Sequence, residues 1–110
     1  MYCKLYIHCD SRSTLIDTLQ KKFGNARCDG IASYKFEEFS IDVHSNKESD
    51  KQKQHIYPDG FLFYELVADL DIKCDYVQIT DSILRFLWEM NYPAVACCDY
   101  EDAINKRVLL

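Results

Sequence analysis

Glycine and proline are scarce, with three and two residues in a chain of 110. So few glycines leave no Gly-rich loop whose backbone N–H groups could cradle a phosphate, which excludes nucleotide binding through such a loop. No stretch approaches the ~20 consecutive apolar residues that a membrane-spanning helix needs. The spacings C-x-x-C, H-x-x-x-H and G-x-S-x-G are all missing. With them go the common local signatures of redox pairs, zinc sites and serine hydrolases. Positive charge is in deficit too. The net charge is −5, a balance that repels phosphate backbones and favours basic partners.

The opening residues Met1-Tyr2-Cys3-Lys4-Leu5 have neither the basic stretch nor the apolar run of a secretion signal. A cytosolic protein is therefore expected, and its six cysteines are expected as thiols. Cys3 and Cys9 would lie about 20 Å apart on one strand at ~3.3 Å per residue, too far to share a metal. Cys97 and Cys98 are adjacent, so on a strand they point to opposite faces. The expectation is buried thiols acting as small hydrophobes, with no metal and no cofactor.

Apolar residues make up 48% of the chain, and their spacing predicts one domain over residues 1–110. A first strand over Tyr2 to Cys9 alternates cleanly, with Cys3, Leu5, Ile7 and Cys9 on one face and Tyr2, Lys4, Tyr6 and His8 on the other. A helix follows Asp10, capped by Ser11 or Ser13, with Leu15, Ile16, Leu19 and Phe23 on one stripe and Gly24-Asn25 at its end. A second strand covers about 33–43. Its apolar phase slips between Phe36 and Phe39, which predicts a β-bulge at Glu37-Glu38. Residues 44–58 are almost wholly polar and read as a flexible hairpin loop, closed by the turn signal Pro58-Asp59-Gly60. A third strand is expected over Phe61 to Ile72. A second helix over Asp75 to Met90 buries Tyr76, Ile79, Ile83, Leu87 and Met90, with Asp75 and Gln78 at capping-box spacing. Asn91 suits a left-handed helix end, Pro93 begins a fourth, edge strand, and a C-terminal tail covers about 101–110.

The order strand–helix–strand–strand–helix–strand predicts an α+β fold of the ferredoxin-like, split β-α-β kind. Four antiparallel strands in the order 4-1-3-2 would carry both helices on one face. The other face would be open and would present Tyr2, Tyr6, Phe61 and Phe63. The segment from Asp59 to Leu66 resembles the central-strand motif of RNA-recognition domains at Gly60, Phe61 and Phe63. Asp59 stands where that motif has Lys or Arg, and Glu65 and Asp69 share the face, so direct nucleic-acid binding is not expected. With strands 1 and 3 taken as parallel, Asp10, Asp69, Asp71 and Asp75 would gather at one rim. Asp99, Glu101 and Asp102 would gather at the other, near Asp59. Neither group has the apolar surroundings that would hold one carboxyl neutral for acid–base work, so no catalytic residue is assigned. Both fit an acidic patch for a basic protein.

The C-terminal block, from Tyr57-Pro58-Asp59-Gly60-Phe61-Leu62-Phe63-Tyr64 through Val95-Ala96-Cys97-Cys98-Asp99-Tyr100-Glu101-Asp102, resembles small bacterial immunity proteins. These neutralise the toxin domains of contact-dependent growth inhibition and related polymorphic toxin systems. The resemblance implies a non-enzymatic protein that binds a cognate toxin domain, often a basic nuclease, and blocks its active site or substrate path. The partner-binding residues would then be Asp10, Asp69, Asp71, Asp75, Asp99, Glu101 and Asp102, with Tyr6, Phe61 and Phe63 as aromatic anchors. The alternatives are a small ferredoxin-like enzyme using a reactive cysteine or histidine, and a ligand-sensing regulatory domain that dimerises through its open sheet face.

Overall fold

A computed structural model describes residues 2–30, 32–56, 60–98 and 100. Its elements run β1 (Tyr2–Ile7), α1 (Arg12–Phe23), β2 (Arg27–Cys28), β3 (Ser33–Lys35), β4 (Phe39–Ser45), a 3-10 turn (Gly60–Phe63), β5 (Leu66–Ile72), α2 (Tyr76–Glu89) and β6 (Ala94–Cys97). The fold is α+β. It has one antiparallel sheet and two helices, but the sheet has six strands rather than four, in the order β2-β3-β4-β5-β1-β6.

Alternation sets the sheet's two faces. Cys3, Leu5 and Ile7 of β1, Phe39, Ile41 and Val43 of β4, Leu66, Ala68, Leu70 and Ile72 of β5, and Ala94 and Ala96 of β6 are buried. They form one core with Leu15, Ile16 and Leu19 of α1 and Ile83, Leu84 and Leu87 of α2. Both helices therefore lie on this face, as their apolar stripes require. Ser11 caps α1 by accepting a hydrogen bond from the Thr14 amide at 3.2 Å, and Gly24 closes it at φ 88°. The predicted capping box of α2 does not form. Asp75 is left-handed at φ 55° and makes no side-chain cap bond. Asn91 takes the left-handed conformation, at φ 67°.

Three expectations need correction. The strand predicted over 33–43 is two strands, β3 and β4. The Phe36 amide donates to the Phe39 carbonyl at 2.8 Å, so Glu37-Glu38 is a tight turn and not a bulge. The turn achieves what the bulge was invoked for. Phe36 and Phe39 both reach the core side and stack with centroids 4.7 Å apart. The strand predicted over 61–72 begins at Leu66, because Phe61 to Phe63 coil into the 3-10 turn. The RNA-recognition likeness of Gly60, Phe61 and Phe63 thus falls on a turn and not on a central strand. Lastly, β1 and β5 pair antiparallel, with Tyr2 opposite Asp71 and Ile7 opposite Leu66.

Candidate functional site: the open sheet face

The registers place the outward side chains in rows across the sheet. One row is Ser33, Asp42, Asp69, Lys4 and Cys97. The next, toward the C-terminal end of β5, is Lys35, Ser40, Asp71 and Tyr2. In the other direction lie His44, Val67, Tyr6 and Val95. The face is graded, with aspartates and Tyr2 at one end and the remaining aromatic rings at the other.

At the acidic end, Asp42 and Asp69 stand directly opposite each other, an arrangement that like charges disfavour. Ser33 Oγ donates to Asp42 Oδ1 at 2.6 Å. Asp69 Oδ1 is buried without a hydrogen-bond partner. Tyr2 is 60% exposed. A hydrogen bond with Asp69, then partial burial and the charges of Asp69 and Asp42, raise its phenol above the ordinary range. Lys4 faces Asp69 from β1, while Lys35 pairs with Asp29 at 3.1 Å.

The aromatic end is built by the segment that returns from β4. Asn46 Nδ2 donates to the Leu62 and Tyr64 carbonyls at 2.9 and 2.8 Å. Gln54 Nε2 donates to the Phe63 carbonyl at 2.8 Å, and the Asp50 amide donates to the same carbonyl at 3.1 Å. These bonds set the 3-10 turn against β1. Phe61 meets Tyr6 edge-on at 5.5 Å, and His8 stacks on Tyr64 at 5.3 Å. His8 Nδ1 lies 2.7 Å from Glu65 Oε1. Burial works to raise the Glu65 carboxyl, but the His8 and Gln54 hydrogen bonds and the His8 charge outweigh it, and the carboxyl is held below its ordinary range.

The expected site residues are only partly brought together. Asp69, Asp71 and Tyr6 share the open face, and Phe61 lies over it beside Tyr6. Phe63 instead sits under Lys53 Nζ, 5.2 Å from its ring centroid. Asp10 follows the end of β1 that pairs with Leu66, whereas Asp71 pairs with Tyr2 at the other end. The antiparallel pairing therefore takes Asp10 away from the rim of Asp71 and Asp75. Asp75 lines a cleft of about 470 Å³ with Phe23, Glu38, Gln78, Ile79 and Ser82. A second cleft of about 280 Å³ is lined by Glu37 and Glu38 of the turn together with Lys35, Lys73 and Asp71. Asp99, Glu101 and Asp102 fall outside the described residues, as does Asp59. Asp42 was missed, although its parity opposite Ile41 and Val43 marks it as outward.

Among the described residues, no cluster of three or more His, Cys, Asp and Glu could hold a metal ion. None of the six cysteines is in a disulfide; Cys3 and Cys9 are buried and Cys28 and Cys74 exposed. No helix among the described residues is long and apolar enough to cross a membrane. What the face offers is recognition chemistry. Exposed and half-exposed rings supply desolvatable contact area, and fixed carboxylates suit Lys and Arg. No protein-family model, curated protein or solved structure matches the chain.

Proposed function

We propose that this protein is an immunity protein, a stoichiometric inhibitor that binds a basic toxin domain and covers its active site or substrate path. The observation that carries the reading is the graded open face, with Asp42, Asp69 and Asp71 beside Tyr2, Tyr6 and Phe61 on one antiparallel sheet. The net charge of −5 agrees with it, since an acidic inhibitor is steered to a basic enzyme. Partner lysines or arginines pair with the aspartates, while the rings pack in the dry centre of the interface. A two-fold dimer through the same face would bring like charges together, which favours a partner of opposite charge over a second copy. The toxin is a protein, and neither membrane nor direct nucleic-acid contact enters the reading.

The test is protection. Cells expressing the cognate toxin domain should survive when this protein is co-expressed, and the purified pair should form a one-to-one complex by calorimetry. Charge reversal at Asp69 or Asp71 should weaken that complex by several kcal/mol if the carboxylate is buried there, and should mainly slow association if it lies at the edge. Failure to protect, together with no protein partner at micromolar affinity, sinks the reading.

A further inference from the structure

A second site lies under the opposite face. The register that sets Lys4 opposite Cys97, carried one residue past the end of β6, brings Cys3 opposite Cys98 on the helix side of the sheet. Cys3 is fully buried, and Cys98 is half-buried against the same core. The two thiols are near enough for Cys98 to act on the titration of Cys3. Tyr100 joins them through its hydroxyl, which is held 3.0 Å from Thr80 Oγ1. Directly opposed residues of an antiparallel pair have Cα atoms about 4.5–5.5 Å apart. That separation lies within the roughly 4.4–6.8 Å that a disulfide spans.

We propose that Cys3 and Cys98 form a dithiol–disulfide site whose substrates are low-molecular-weight disulfides. Cys98, the accessible member, attacks one sulfur of the small disulfide as its thiolate. The S–S bond of the reagent breaks, one small thiolate leaves, and a mixed disulfide forms on Cys98. Cys3 then gives up its proton and attacks the Cys98 sulfur, expelling the second small thiolate. The protein loses two electrons, the reagent gains them, and the two thiol protons end on the released thiols. Burial, then the neighbouring Cys98 and Cys97 thiols, push the Cys3 thiol upward. Closure is therefore the slower step, and Cys98 is the point of entry.

The experiment uses the full chain with the exposed thiols removed (Cys28→Ser, Cys74→Ser) and oxidised glutathione as the probe. After free thiols are alkylated, peptide mapping should find a Cys3–Cys98 cross-link and the loss of two hydrogens from the intact mass. Adding Cys98→Ser should abolish the cross-link, and adding Cys97→Ser should leave it. Three outcomes would overturn the proposal. These are a glutathione adduct on Cys98 that never closes, a bond to Cys97 in its place, and a cross-link that appears only in denaturant.

Discussion

Replacing Asp69 by Asn is expected to make the protein more stable. Asp69 stands opposite Asp42 on β4 and opposite Lys4 on β1, and its Oδ1 is buried without a partner. Cross-strand charge pairs contribute roughly 0.2–1 kcal/mol each, so relief from Asp42 and loss of Lys4 nearly cancel. What remains is the penalty for holding a charged, unpartnered oxygen away from water. A neutral buried polar atom left unpaired costs about 1–3 kcal/mol and a charged one more, so exchanging the carboxylate oxygen for an amide carbonyl recovers only the difference. Because the residue as a whole is only half-buried, the low end applies. The amide keeps a carbonyl at the buried position and turns its NH2 to the Tyr2 hydroxyl, which then accepts. The net gain is ~1 kcal/mol, which for a domain of this size raises Tm by about 4 °C. Thermal and urea melts of both proteins at neutral pH measure it. The gain should change little with salt, which screens the Asp42 repulsion and the Lys4 attraction alike. A variant that melts below the native protein would show that the Asp69 carboxylate stabilises the sheet, and the reasoning would fail. A variant more stable yet weaker in binding would mark Asp69 as a residue kept for recognition.

Two further outcomes follow from the aromatic end. At Gly60, an added Cβ would overlap the Gln54 carbonyl and lie 2.7 Å from its carbon and 3.1 Å from the Lys53 oxygen. Gly60→Ala should therefore cost about 1–3 kcal/mol, as overpacking against backbone does. It should also speed hydrogen exchange at the Asp50 and Gln54 amides, and unchanged exchange would refute the packing described here. The Glu65 carboxyl is lower in the folded protein than in the unfolded chain, so its contribution is present above the unfolded value and lost as pH falls through the folded one. Between about pH 5 and pH 3 the native protein should lose more stability than Glu65→Gln. Parallel losses would mean that the His8–Glu65 pair contributes nothing.

Much of the sheet was legible because alternation is unambiguous where one face is buried. The first strand and the latter part of β5 follow their sequence parity, and the ends of α1 follow Ser11 and Gly24. The errors have local causes. Glu37-Glu38 turns the chain without glycine, asparagine or proline, so nothing announced it. Arg27–Cys28 is exposed and too short to show a period. Phe61 to Phe63 continue an apolar run into β5, and the run concealed the change from 3-10 turn to strand. The larger error for function was directional. Reading β1 and its neighbour as parallel put Asp10 beside Asp71, whereas the antiparallel ladder separates them; the separate β4–β5 register makes Asp42 the neighbour of Asp69. Site residues that depend on register become visible only once the pairing is known, and the contact of Cys3 with Cys98 is of this kind.

The strands beyond β5 shorten outward. β4 has seven residues, β3 three and β2 two. A sheet that ended at β4 would expose a ladder long enough to recruit another chain's strand, the usual route to uncontrolled edge-to-edge association. The taper leaves the outermost strand on that side only two residues long. Lateral growth of the sheet is thereby discouraged, and encounters are directed to the broad face, where charge and ring geometry can discriminate among partners.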